Sequence, residues 1–175
     1  VLSAFCGLLA ACASTRNAEL LKAVTFEYGN WAAADVARLL DEGADRDALI
    51  VGIGGGITTD ITGFTASIYK RGVRFAFVPT TLLAQVDASI GGKNGVNFLS
   101  YKNILGTINQ PEWIFICPQL LATLPEDEFK AGISEVLKTF ILFDRKMYRM
   151  AVDYFKAVRG EDLSGRKYGE AAVAL

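Results

Sequence analysis

Apolar positions along the chain change period several times, and each change marks an element. Ala32 to Leu40 carries apolar residues at helical spacing and runs out at Gly43, which predicts a short amphipathic helix closed by a glycine. The apolar run Ala48 to Ile53 predicts a buried strand. Three consecutive glycines, Gly54 to Gly56, follow it, and Ile61, Phe64 and Ile68 then recur at helical spacing, predicting a helix from about Asp60 to near Gly72. "RFAFV" (74–78) reads as the next strand, closed by Pro79. Thr80 or Thr81 can cap a helix with Leu82, Leu83, Val86 and Ile90 on one side. The Gly/Asn-rich "GGKNGVNFLSYKN" (91–103) reads as a loop, and Trp113 to Ile116 as a further strand.

This alternation predicts an α/β fold with a parallel sheet and helices on its faces, over residues 1–118. Strand signals stop after Pro118. Residues 119–175 read as a helical region in which Glu126, Asp127 and Glu128 favour the first turn of one helix and Asp144 caps the next.

Composition narrows the classes. A chain of 175 residues, 51% of them hydrophobic, can bury a core and make one or two domains. A formal net charge of −1 leaves no broad basic surface to neutralise a nucleic-acid backbone, so no nucleic-acid partner is expected. Cys6, Cys12 and Cys117 are an odd set with no C-x-x-C spacing, which fits free thiols in a reducing compartment and a cytoplasmic protein. Leu9-Ala10-Ala11-Cys12 has the form of a lipoprotein cleavage site, but no charged region precedes it, and the stretch is read as a buried element. No run is long enough to span a bilayer, so no membrane partner is expected. The sequence has no histidine, which removes serine triads, His-ligated zinc and His general bases.

Three stretches carry candidate chemistry. In "LIVGIGGGITTDITGF" (49–64) a strand passes through glycines into a helix N-terminus, where backbone N–H groups and the helix dipole suit a phosphate. Ile57 stands where the dinucleotide fingerprint G-x-G-x-x-G has its last glycine, so a tight turn without a ligand is equally consistent with this motif alone. Asp87, Lys93, Lys102 and Asn103 lie near flexible glycines; they suit a phosphorylated, hydroxylated substrate, or are solvated charges on a loop. In "AGISEVLK" (131–138), Glu135 and Lys138 share a helix face with Ala131 and Gly132, either as a routine ion pair or as a site that leaves room for close packing.

Taken together, "GGGITTDITGF", "YKRGVRFAFVPTTLLAQVDASIGGKNGVN", "YKNILGTINQPEW", "LATLPEDEF" and "AGISEVLK" resemble 3-dehydroquinate synthase, from about Ala48 to Lys138. The resemblance implies a Rossmann-like, parallel-sheet NAD-binding domain followed by the start of an all-helical domain, with the active site in the cleft between them. It implies use of catalytic NAD and a divalent metal, zinc or cobalt, to convert 3-deoxy-D-arabino-heptulosonate 7-phosphate, a phosphorylated sugar acid, into 3-dehydroquinate and phosphate in the shikimate pathway. By resemblance, Gly55, Gly56, Ile57, Thr58, Thr59 and Asp60 match the pyrophosphate turn and its acidic residue. Thr80, Thr81, Lys93, Lys102, Leu120, Leu121, Ala122 and Thr123 match further cofactor contacts, and Lys93, Lys138, Asp87 and Asn103 match catalytic and substrate-binding positions. Glu135 matches the metal-binding carboxylate, and Arg71 an arginine that reaches a neighbouring subunit's site, implying a homodimer.

The departures are equally specific. The family completes its metal site with histidines, and one carboxylate does not make a catalytic zinc site. In "GRKYGEAAVAL", Tyr168 stands where a family histidine precedes Gly-Glu-Ala. Glu27 and Asn30 stand where a Gly-Glu-x-x-Lys element contacts the NAD ribose. The chain therefore reads as a fragment or degraded copy, and negligible phosphate release is expected from it alone. The alternatives are another sugar phosphate cyclase or a non-catalytic NAD-binding remnant. An iron-dependent polyol dehydrogenase shares the fold, but "VDASIGGK" argues against it.

Overall fold

The computed structural model describes residues 32–98 and 100–158. The expectations for Glu27, Asn30, Cys6, Cys12, the N-terminal element and Tyr168 fall outside that range. Helix α1 (Ala32–Asp41) ends where the sequence predicts, with Gly43 at φ +68°, in the left-handed region that glycine tolerates. Strand β1 (Leu49–Gly54) pairs in parallel with β2 (Arg74–Pro79), Ile50 opposite Phe75 and Val51 opposite Ala76. Helix α2 (Gly56–Ile68) connects them and begins earlier than the apolar spacing suggested. Its first turn, Gly56 to Thr59, carries no large apolar residue on its inner side, so periodicity registers it only from the second turn onward.

Alternate residues of the two strands face opposite sides, as the pleat requires. Ile50, Phe75 and Phe77 pack with Leu39, Ala66, Tyr69 and Val73 on one side. Val51, Ala76 and Val78 form the other side and meet Leu120.

Three elements differ from the sequence reading. The stretch Trp113 to Ile116 is not a regular strand: it adds one parallel bridge, Ile114 to Phe77, flanked by hydrogen bonds from Phe77 N to Trp113 O and from Phe115 N to Phe77 O. Most of its apolar side chains are exposed, so the backbone follows β2 only briefly. The helix expected after Thr81 widens into a π-helical turn over Ala84–Ala88, with Ser89 N donating to Ala84 O, and Ile90 lies exposed. The Gly/Asn-rich segment is not a loop but an antiparallel hairpin, β3 (Lys93–Phe98) and β4 (Tyr101–Ile108). Strand β4 is exposed along nearly its whole length, so no alternation of apolar and polar residues announced it.

A 3-10 turn (Pro118–Thr123) leads into α3 (Glu126–Phe143) and α4 (Arg145–Val158). Asp144 caps α4 as expected: the N–H groups of Lys146 and Met147 donate to its Oδ1 at 2.8 and 3.0 Å. Leu82, Leu121, Phe129 and Val136 form the core beneath these helices. Around residue 118, where the sequence divides, Leu120 turns onto the sheet and Leu121 into the helical core. Among the described residues, no helix is long and apolar enough to cross a membrane.

Candidate functional site

The carboxyl end of β1 runs directly into α2 through the glycines, and they serve two different purposes. A Cβ on Gly54 would stand 2.5 Å from Thr58 Oγ1, and one on Gly52 2.5 Å from Thr62 Oγ1, so these two let the helix lie close on its own strand. Gly55 caps α2 with extended backbone and no side-chain cap, which leaves the first-turn N–H groups available with the positive end of the helix dipole behind them. Thr81 walls this end: its Cγ2 lies 3.1 Å from where a Gly55 Cβ would be. Ala88 stands equally near the same point on Gly56. Thr80 N donates to Gly54 O at 2.8 Å, and Thr81 Oγ1 accepts from Ala84 N, so β2 and the turn after it are tied to the glycines.

One turn along α2 stands Asp60. Gly95 N donates to its Oδ1 at 3.5 Å, and Asp87 and Lys102 face it. Burial pushes its carboxyl up to about 6; the Gly95 N–H and Lys102 work against this and Asp87 works with it. The hairpin thus brings Lys102 opposite the glycine helix. Asn103, also on the hairpin, is held at φ +52° with its N–H on Asn97 Oδ1. From α3, Lys138 reaches across to Asp87, Nζ to Oδ1 3.1 Å, and pairs with Glu135 one turn back. These carboxylates, Glu135 above all, hold the Lys138 ammonium above the ordinary lysine range.

Asp60, Asp87, Lys102, Glu135 and Lys138 therefore form one charged network spanning four elements. Lys93 is exposed at the start of the hairpin, and Thr123 is exposed at the end of its 3-10 turn. Leu121 is fully buried, so its side chain supports the site from below. Arg71 is not brought to this network: at φ +72° it sits before β2, at the opposite end of the sheet, beside an open cavity of about 530 Å³ with Asp45, Arg46 and Lys70.

Two contacts dock the site, and of these only the close packing at Gly132 was singled out from sequence. Asn94 is buried and donates to Gly92 O and Asn109 O, and its side chain packs on Gly63 of α2. Gly132 of α3 lies against Leu82 and Leu83. For Asn94 the available signal was its partner Gly63, an isolated glycine inside a helical pattern.

The shifted carboxyl has a measurable consequence. A raised folded-state pKa means that, between the ordinary carboxylate range and about 6, folded Asp60 keeps a proton the unfolded chain has released. Stability then falls as pH rises through that window. Asp60→Asn is expected to show a smaller fall in unfolding midpoint between about pH 4 and about pH 7 than the unmodified protein. Asp35, which burial also pushes to about 6, is common to both proteins, so the difference isolates Asp60. Identical profiles would refute the assignment.

The chain is similar in sequence and in fold to known proteins. The family described as 3-dehydroquinate synthase N-terminal matches residues 21–131. The 3-dehydroquinate synthase of Thermococcus kodakarensis is 52% identical over 117 residues, 67% of this chain and 34% of that protein. Among solved structures, 2-epi-5-epi-valiolone synthase from Streptomyces hygroscopicus, with NAD+ and Zn2+ bound, superposes with TM-score 0.68 at 33% identity, over 82% of this chain and 39% of that one. A 2-deoxy-scyllo-inosose synthase complexed with carbaglucose-6-phosphate, NAD+ and Co2+ gives 0.59 at 34% identity, over 61% of this chain and 29% of that one. The chain spans about a third of the length of the curated relatives it matches.

Proposed function

The chain belongs to the 3-dehydroquinate synthase family, and from that premise we propose that it carries the NAD-binding part of a site that converts 3-deoxy-D-arabino-heptulosonate 7-phosphate to 3-dehydroquinate and phosphate. The carrying observation is the uncapped start of α2 at Gly55, walled by Thr81, with Asp60 one turn on. Bound there, NAD supplies reversible oxidation of a substrate hydroxyl. The chain's own residues hold and orient: the first-turn N–H groups take the pyrophosphate, and Asp60 accepts from cofactor hydroxyls. Lys93, Lys102 and Lys138 offer positive charge to the substrate's phosphate and carboxylate, and Asn103 offers an amide. Arg71, remote from this network, is consistent with service to a second copy in a homodimer. A cytoplasmic setting, with no nucleic-acid or membrane partner, completes the reading.

The divalent metal, zinc or cobalt, does not fit the described residues. No group of three metal-ligating side chains occurs among them, and the carboxylate of Glu135 is paired with Lys138. The same observation favours a second reading, NAD binding without turnover.

A calorimetric titration with NAD at about pH 7.5, where Asp60 is ionised, tests the proposal. Saturable binding is expected, weakened roughly tenfold by Asp60→Ala through loss of charge-assisted hydrogen bonds. Absence of binding by the folded, unmodified chain would overturn it.

A further inference from the structure

Gln85 has no part in the network above, yet its hydrogen bonds reach two segments of the cofactor side. Its side chain is 5% exposed and sits in the π-helical turn, two positions before Asp87. Its Nε2 donates to Pro79 O at 3.2 Å and to Cys117 O at 3.0 Å. Its own N–H donates to Thr81 O at 3.0 Å. Pro79 is the last residue of β2, immediately before Thr80 and Thr81; Cys117 immediately precedes the 3-10 turn Pro118–Thr123. The two carbonyls belong to segments 38 residues apart in sequence (117 − 79) that no shared strand pairing holds at these positions. A single amide group with two N–H bonds reaches both carbonyls, and no hydroxyl or carboxylate of similar reach can donate twice.

We infer that Gln85 is a positioning residue: its amide clamps the Thr80–Thr81 segment to the Pro118–Thr123 turn and so holds two walls of the cofactor site in register. The inference rests on the NAD-binding reading for its functional consequence, but the clamp itself is a property of the free protein. Removing the donor takes the amide from Pro79 O and leaves Cys117 O with the Leu120 N–H alone, so the two segments lose their tie to each other and each relaxes toward water.

Backbone hydrogen exchange on Gln85→Met, which keeps the length and removes the donor, tests this in the free protein. The amides of Thr80, Ala84, Gln85 and Leu120 are expected to exchange at least roughly tenfold faster, while β1 and the body of α2 keep wild-type protection. Val73→Ala, buried against the opposite side of the sheet, supplies the comparison, because general destabilisation accelerates all elements together. Saturating NAD should restore protection in the variant, with its dissociation constant raised roughly three- to tenfold. A uniform acceleration like that of Val73→Ala, or no change at all, overturns the clamp. Should Gln85→Met fail to fold, the Gln85 Nε2 protons of the unmodified protein decide: slow exchange supports the clamp, and exchange at the free-amide rate overturns it. If the unmodified protein binds no NAD, the functional reading fails, and the exchange pattern still judges the clamp.

Discussion

Alanine at Gly63 is expected to cost about 3 kcal/mol of stability and to release the β3–β4 hairpin from α2. The added methyl would fall on the side-chain amide of Asn94, which is buried and committed to two carbonyls, Gly92 O at 3.0 Å and Asn109 O at 2.9 Å. Asn94 cannot turn aside without giving up both of these hydrogen bonds, so the clash must move the hairpin instead. That movement carries Gly95 away from Asp60, and Lys102 with it. The unfolding midpoint should drop by about 10 °C, given roughly 2–4 °C per kcal/mol for a chain of this size. Gly43→Ala is the control: nothing lies within 4 Å of the added methyl, and only the positive φ opposes it, worth about 1 kcal/mol. Equal effects at the two positions would show that the close approach at Gly63 contributes nothing.

Gly132→Ala should be nearly as severe, about 2–3 kcal/mol, for a related reason with a different consequence. Its Cβ would stand 2.6 Å from Leu82 Cβ and Cγ and 2.8 Å from Leu83 N, and a backbone nitrogen has no rotamer with which to yield. Helix α3 must therefore back away, taking Glu135 and Lys138 from Asp87. Lys138 keeps Glu135, which rides on the same helix, but loses Asp87. Its pKa, measured by side-chain resonances, should fall part of the way toward the ordinary lysine range. The glycine turn is untouched, so NAD affinity should hold while the cross-element ion pair is lost. An unchanged Lys138 titration would mean that α3 does not set that contact.

The sequence alone determined what local chemistry can specify. Strands β1 and β2 were legible because apolar runs bounded by glycine or proline have few other solutions. The end of α1 at Gly43 and the start of α4 at Asp144 were legible because a left-handed C-terminal residue and a carboxylate cap act within a few residues. The family was legible as ordered motifs, and the family match over residues 21–131 bears out that recognition.

Tertiary structure decided the rest. The hairpin β3–β4 had no apolar alternation to announce it; it is held by Asn94 seated against Gly63, a contact between residues 31 apart (94 − 63). Lys138 was expected beside Glu135, as the helical repeat requires, but its bond to Asp87 exists only because Gly132 lets α3 lie on Leu82 and Leu83. Arg71 carries the same kind of motif as the other candidates, yet stands at the far end of the sheet, because β2 must run its full length between Arg71 and Thr80. Periodicity and capping are read from neighbours along the chain, whereas the charges that meet at Asp87 are brought there by backbones that approach closely wherever a side chain is missing.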